Sequence, residues 1–362
     1  MTKGLNSNLL VSLFFVLFLG NLNKAQAQCI ETLRLARTVY DEGRLHELPI
    51  ILENCLKEGF NEEEKTEAYR LLILSYIYQD QPAMADDAML SLLRSNPRFK
   101  IDPDTDPNEL INLHKTFRTD PIYRVGGKIA VSYSLINITK FYGVNSFGDS
   151  NGSYTGNIGF GGSAFIEKDF FNNLITFRAE PSFAINKFTY SGTAFPNDDD
   201  PTEFSATWEG DVETQSWIGL NLSARYPFLE KSKLGKKLHP NIILGPSAQY
   251  LISSNSANTT NIDGGESASG ADIDFLDSAN DNRKKINLSA IAGIGIIIPV
   301  GKMSFVTDIT YQYGLVNITK KHYSEELSLK YGRAMSDQTL NAFNISAGLM
   351  INKYSPKKLD NN

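Results

Sequence analysis

The sequence predicts an α+β chain in separate domains, N-terminal helical hairpins followed by an eight-stranded antiparallel transmembrane β-barrel. Three observations carry that prediction. From Ile30 to about Arg118 the apolar residues recur every three or four positions, the period of a helix packed on one face. From Tyr123 onward they recur at every second position, as in strands with one apolar and one polar face. The alternating segments number eight, and their polar parity carries arginine, lysine and acids, the pattern of a barrel with a lipid-facing wall and a hydrophilic lumen.

The first residues have the form of a leader. Lys3 precedes an apolar run from Leu9 to Leu19, and Ala25-Gln26-Ala27 supplies a small-x-small site, so residues 1–27 are expected to be a signal peptide with the mature chain starting at Gln28. No run of eighteen apolar residues offers a spanning helix. Cys29 follows the site, but Gln-Ala-Gln precedes it where lipidation would want Leu-x-Gly or Leu-x-Ala. Cys29 and Cys55 are the only cysteines, and an even count in an oxidising compartment suggests one disulfide. Removing Lys3 and Lys24 takes the formal charge from −6 to about −8, with most of the acidic excess before Asp120. That balance argues against a nucleic-acid or anionic-lipid surface in the residues before Asp120.

Residues 28–120 divide into helices. Ile30 to Glu42 stops at Gly43, and Leu45 to Glu58 stops at Gly59; folded back on each other, they bring Cys29 beside Cys55. Asn61 followed by Glu62, Glu63 and Glu64 is an N-cap with acids in the first turn. The helix it opens carries Tyr69, Leu72, Ile73 and Tyr76, and after Pro82 a fourth carries Ala85, Met89 and Leu92 before Pro97. A terminal helix spans Pro107 to Phe117. The set Tyr69, Leu72, Tyr76, Ala85, Met89, Leu92 and Pro97 resembles the tetratricopeptide repeat, with Ile73 where that repeat has a small residue. A weaker copy, Leu35, Ala36, Val39, Gly43, Leu48, Leu52 and Cys55, lies about thirty-seven residues upstream. The resemblance implies a module that docks a protein.

Asp120-Pro121 ends the helical period, and residues 121–354 are expected to form the barrel, with 355–362 a polar tail. The strands are predicted at Tyr123–Leu135, Tyr154–Lys168, Leu174–Tyr190, Ala206–Phe228, Pro240–Ser253, Lys285–Val300, Met303–Ile318 and Gln338–Tyr354. Their connections alternate between tight (Asp169 to Asn173, Gly301-Lys302) and long (Ser254 to Lys284, Thr319 to Asp337), as periplasmic turns alternate with outer loops. Within the fifth strand, Pro246 has no N–H to give the ladder, so Gly245-Pro246 is expected to mark a local irregularity. The inward parity gathers Arg124, Lys128, Arg178 and Arg225 with Glu167, Glu180, Glu213 and Asp308. A barrel of eight strands has an interior that side chains fill, and unpaired charges there are costly, so a neutral salt-bridged plug is expected and a wide pore is not.

Four segments carry a further resemblance. Ala179-Glu-Pro-Ser-Phe-Ala-Ile-Asn-Lys-Phe-Thr-Tyr-Ser-Gly192, Ile218-Gly-Leu-Asn-Leu-Ser-Ala-Arg-Tyr-Pro-Phe228, Ile243-Leu-Gly-Pro-Ser-Ala-Gln-Tyr250 and Thr310-Tyr-Gln-Tyr-Gly-Leu-Val-Asn-Ile318 occur in the order found in PorT-like outer-membrane barrels. Asn221 departs from that pattern, which has proline there. The resemblance implies an outer-membrane barrel over about Tyr123 to Tyr354 and brings no catalytic set. Its best-known members assist type IX secretion.

Little other chemistry is legible. His46, His114, His239 and His322 lie in separate elements, without metal-ligand spacing. His322 with Ser324 is the one rim pair worth naming, and a carboxylate pair could be drawn from the lumen acids, such as Glu180 with Glu213. The acidic, glycine-rich loop from Asp263 to Asp281 lacks the spacing of a dedicated calcium site. Lys231, Lys233, Lys236 and Lys237 form a basic cluster in a turn, suited to lipid headgroups or to the acidic helical module. The expectation is a non-enzymatic anchor in the cell outer membrane, with no cofactor, in contact with outer-membrane lipid. Its helical domain, residues 28–120, would dock a periplasmic or outer-membrane protein in envelope assembly or type IX-like secretion. The alternative is a small-solute transport or ligand-sensing barrel that acts through the outer loops.

Overall fold

The computed structural model describes residues 28–142, 152–171, 174–194, 205–229, 232–257, 260–263, 282–321 and 335–359. The expected signal peptide, the His322–Ser324 pair and most of the Asp263 to Asp281 loop lie outside them, as do the side chains of Lys231, Lys233 and Lys236. The chain forms two compact units, Met1–Pro121 with Tyr354–Asn362, and Ile122–Lys353.

In the first unit, helix α1 is described over residues 28–41 and ends before Gly43, whose φ of +75° turns the chain. The expected second helix is split. A 3₁₀ turn, Leu45–Glu47, precedes α2 (Leu48–Lys57), because Pro49 has no N–H and its ring excludes a helical carbonyl at Leu45. That carbonyl instead accepts from the Leu48 N–H, closing the 3₁₀ turn, and from Ser75 Oγ at 3.2 Å. Helix α3 (Glu62–Tyr78) opens on a full capping box: Asn61 Oδ1 accepts from the Glu63 and Glu64 amides, and Glu64 accepts from the Asn61 N–H. Helices α4 (Pro82–Ser95) and α5 (Asn108–Lys115) complete the unit. Cys29 and Cys55 are disulfide-bonded, with 5.6 Å between their Cα atoms, tying the start of α1 to the end of α2.

One apolar core runs through these helices. Leu72, Ala85, Met89 and Leu92 are buried, Tyr69 and Tyr76 pack partly buried against the core, and Pro97 is half-buried after α4. Of the weaker copy, Ala36, Val39, Leu48, Leu52 and Cys55 are buried but Leu35 is exposed, since the buried stripe of α1 follows Leu33, Ala36 and Val39. Residues 355–359, expected as part of a polar tail, belong to this unit: Leu359 N donates to Thr116 O at 2.7 Å, Arg118 N to Lys357 O at 2.9 Å, and Lys358 pairs with Asp86.

The second unit is a closed antiparallel ring. Its strands are β1 (Tyr123–Lys140), β2 (Ser153–Phe170), β3 (Ile175–Ala194), β4 (Ser205–Pro227), β5 (Pro240–Ala257), β7 (Ile286–Val300), β8 (Met303–Gly314) and β9 (Asp337–Lys353), with a short β6 (Thr260–Asp263). Neighbours pair in chain order, β5 skips to β7, and β9 pairs with β1 from Tyr123↔Lys353 to Lys140↔Asp337. The ring therefore has eight strands. Strand β6 adds a ninth to the sheet by pairing with Ser205–Trp208 at the end of β4, so Ser254 to Lys284 is not all loop. Strand β8 stops at Gly314, short of the expected Ile318, because the next residues turn inward. A short helix α6 (Lys233–Leu238) occupies the β4–β5 connection.

Along each strand the apolar parity faces out, from Ile129 (76% exposed) on β1 to Ile351 on β9, and the polar parity faces in. At Gly245 the sheet is drawn close: a Cβ there would lie 1.9 Å from the Leu222 carbonyl oxygen. The β4–β5 ladder lapses opposite Gly245-Pro246 but resumes in the same register, so the expected irregularity is a gap in hydrogen bonding and not a bulge.

One titratable group marks the first unit. The His114 ring packs edge-on to Phe99, 5.8 Å between centroids, with Nε2 buried and unbonded. Burial holds its pKa below the ordinary value of 6.5, against a hydrogen bond to the Phe99 backbone and the field of Asp106. A lowered histidine pKa means that the unfolded chain binds the proton more readily, so the stability is present above 6.5 and is lost as pH falls below it. Hydrogen-exchange protection factors in α5, which are corrected for the intrinsic pH dependence of amide exchange, should be lower at about pH 5 than at about pH 7.5, and His114→Gln should remove most of the difference; pH-independent protection in the wild type would contradict this.

Candidate functional site in the barrel lumen

The inward parity concentrates charge near the rim where the chain enters the ring. Asp308 of β8 is the hub: its carboxylate accepts from Lys128 Nζ at 2.8 Å, from Arg225 Nη2 at 2.8 Å and from Arg178 Nη1 at 3.1 Å. Lys128 also reaches Glu180 at 2.9 Å, and Glu180 accepts from Ser163 Oγ at 2.8 Å. Glu167 lies between Arg178, 2.8 Å away, and Arg124, 2.7 Å away, and Arg124 bridges on to Asp169. Four cations face four carboxylates, held by five strands.

Seven of the eight expected lumen charges meet here, and the eighth does not. Glu213 lies towards the opposite rim, where it accepts from Arg283 Nε at 2.8 Å, Gln215 at 2.6 Å and Ser254 at 2.7 Å. Arg283, 1% exposed, also donates to Gln338 at 2.9 Å. The place expected for Glu213 in the first cluster is taken by Asp169. Asp169 and Arg283 both fall in segments that read as connections, yet both continue an inward parity, Asp169 after Glu167 and Arg283 before Asn287 and Ser289. Glu180 and Glu213 belong to different clusters, so the structure does not bring that carboxylate pair together.

Apolar side chains fill much of the remaining bore. Trp217, Leu251, Ile318 and Leu340 form a buried plug with Ile136, and Ile318 enters it because residues 318–320 turn inward to bond residues 282–284 and Gln338. Phe165, Val306 and Met350 form a second cluster, with the Arg178 guanidinium 3.9 Å from the Phe165 ring centroid. A cavity of about 100 Å³ remains, lined by polar groups including Ser132, Asn221, Gln249, Gln312 and Asn344. That space suits a few waters. Among the described residues no group of His, Cys, Asp and Glu is placed to hold a metal. Every carboxylate in the two clusters accepts from a cation, an arrangement that fixes strands relative to one another.

Removing the hub should be severe. Asp308→Asn leaves Lys128, Arg178 and Arg225 facing a neutral amide in a buried site, a loss of about 3–5 kcal/mol. Adding Lys128→Met should recover part of it, as read by urea unfolding in detergent micelles; an unchanged midpoint for the single variant would refute the hub assignment.

No curated protein matches this chain. Among solved structures, the chain is similar to Ail, the attachment invasion locus protein of Yersinia pestis, solved with the heparin analogue sucrose octasulfate, at 12% identity over 63% of this chain and 99% of that one, with a TM-score of 0.28. Neisserial surface protein A is similar at 11% identity, over 64% of this chain and 96% of that one, with a TM-score of 0.30. A major outer membrane protein of Thermus thermophilus is similar at 10% identity, over 63% of this chain and 98% of that one, with a TM-score of 0.28. The family described as the outer membrane protein beta-barrel domain matches residues 123–320, more than half of the chain, and with its closed ring, apolar outer wall and charged lumen this chain belongs to that family.

Proposed function

We propose that the chain is a PorT-like, non-enzymatic anchor. After loss of its signal peptide, the barrel holds it in the outer membrane, and a tetratricopeptide-like module, residues 28–120, stands in the periplasm and docks a protein partner. The process is envelope assembly or type IX-like secretion. The observation that supports this reading most is the filled lumen. Asp308 and its three cations occupy one half of the bore, and the Trp217 plug with the Glu213–Arg283 pair occupies the other. A ring without a free bore supplies position in the membrane and little passage across it. The helical unit carries the recognition instead. Its repeats are stapled by the Cys29–Cys55 bond and cross-linked on the surface by Arg37 with Glu67.

The decisive comparison is capture from crosslinked outer membranes of the full-length chain and of a version lacking residues 29–118. The full-length chain should retain a partner that the truncated barrel loses, and identical partner sets would sink the reading. In planar bilayers the wild-type barrel should show no steady solute conductance. A stable open channel would favour the transport alternative.

A further inference from the structure

The outer wall of the ring is not uniformly covered. In one row across four strand boundaries, Gly162, Phe183, Ile218, Tyr250 and Ile286 stand opposite one another on β2, β3, β4, β5 and β7. The row beneath it carries Ala164, Pro181, Leu220 and Ala248. Small side chains at Gly162, Ala164 and Ala248 leave a depression of about 880 Å³ in the wall, bordered by Phe183, Ile218, Tyr250 and Ile286. These four are 42%, 48%, 51% and 59% exposed, so the depression is open on its lipid-facing side.

Cations stand along the same edge of it. Lys284 has the outward parity of Ile286, two residues or about 7 Å beyond it; Lys285, between them, has the inward parity of Arg283 and Asn287 but is exposed at the rim. Lys187 has the outward parity of Phe183, four residues further along β3. The segment carrying Lys284 is bonded to the one carrying Lys320 and Lys321: Lys284 N donates to Ile318 O, and Lys320 N to Asn282 O, each at 2.7 Å. Lys284, Lys285, Lys320 and Lys321 are all exposed. A net negative chain thus places five lysines where its apolar belt gives way to water.

We propose that this depression is a binding site for a membrane lipid with an anionic phosphate headgroup. Its acyl chains lie on Gly162, Ala164, Pro181 and Ala248 beside Leu220, and its phosphate sits against Lys284, with Lys285, Lys187, Lys320 and Lys321 within the surrounding positive field. The apolar floor selects a lipid, and the lysines select its charge. Tyr250, with an apolar ring and a polar hydroxyl, fits the boundary between the two. Each lysine near an anionic headgroup is expected to strengthen binding roughly fivefold, more weakly as salt rises.

The test is native mass spectrometry of the full chain released from detergent micelles doped with phosphatidylglycerol or with phosphatidylcholine. Wild type should retain phosphatidylglycerol in preference to phosphatidylcholine. Replacing Lys284 and Lys285 by Gln should lower phosphatidylglycerol retention at least about fivefold. Lys168→Gln, at the other end of the barrel, should leave it unchanged. Ala248→Leu, which fills the floor, should reduce retention of both lipids, with circular dichroism confirming a folded barrel in every variant. Equal retention of the two lipids by wild type, no effect of the lysine pair, or full displacement by inorganic phosphate at equal concentration would each overturn the proposal.

Discussion

The closure of β9 onto β1 is the constraint on which the rest of the barrel depends. In hydrocarbon there is no water to take up an unpaired N–H or carbonyl, and each such group costs several kcal/mol, so a sheet can cross only if it has no edge. The ladder from Tyr123↔Lys353 to Lys140↔Asp337 removes both edges at once. Once the ring is closed, every residue must face either lipid or lumen, and the period of two sorts them. The same closure limits what individual residues can do. Pro246 interrupts the β4–β5 ladder only beside Gly245, where the missing side chain lets β4 come close and the register survives.

Closing eight strands leaves a narrow interior, and that narrowness decides its chemistry. A wide lumen could keep lysine and arginine hydrated; this one forces them onto carboxylates from other strands. Asp308 bonds cations from β1, β3 and β4 across the bore, so the pairs act as internal struts as much as charge neutralisation. Towards the other rim, the Glu213–Arg283 pair fastens residues 282–284, and through them residues 318–320, over the Trp217 plug. The barrel is polar within and apolar without. The helical unit has the reverse arrangement, an apolar core running from Cys29 to Phe117 under a charged surface, with a disulfide across its first hairpin.

Most departures from the sequence reading have a local cause. The second helix is broken by Pro49, a residue whose effect on the preceding turn is visible in the sequence. Leu35 matches the weaker repeat by spacing alone, whereas the buried stripe of α1 passes it by. Asp169 and Arg283 sit where turn and loop composition hides a parity that continues to the strand ends. Strand β6 has no signal of its own: Thr260–Asp263 is short, and it becomes a strand only because β4 extends far enough to receive it.

What the sequence by itself determined is whatever depends on periodicity and local stereochemistry. That includes the switch from a helical to a strand period near Asp120, the eight strands, the face each one shows to lipid, the cap at Asn61 and the residue types lining the lumen. These follow from neighbours within a few positions, and the chain records them directly. Which charges meet was decided only by tertiary structure. Glu213 and Glu167 are indistinguishable as inward acids along their strands, and stagger between strands sends one to Arg283 and the other to Arg124 and Arg178. The wall depression has the same origin, because Gly162, Ala164 and Ala248 are unremarkable along the chain and form a surface only when register aligns β2 through β7. Register is a relation between distant segments, set by closure of the whole ring, and no single stretch of sequence contains it.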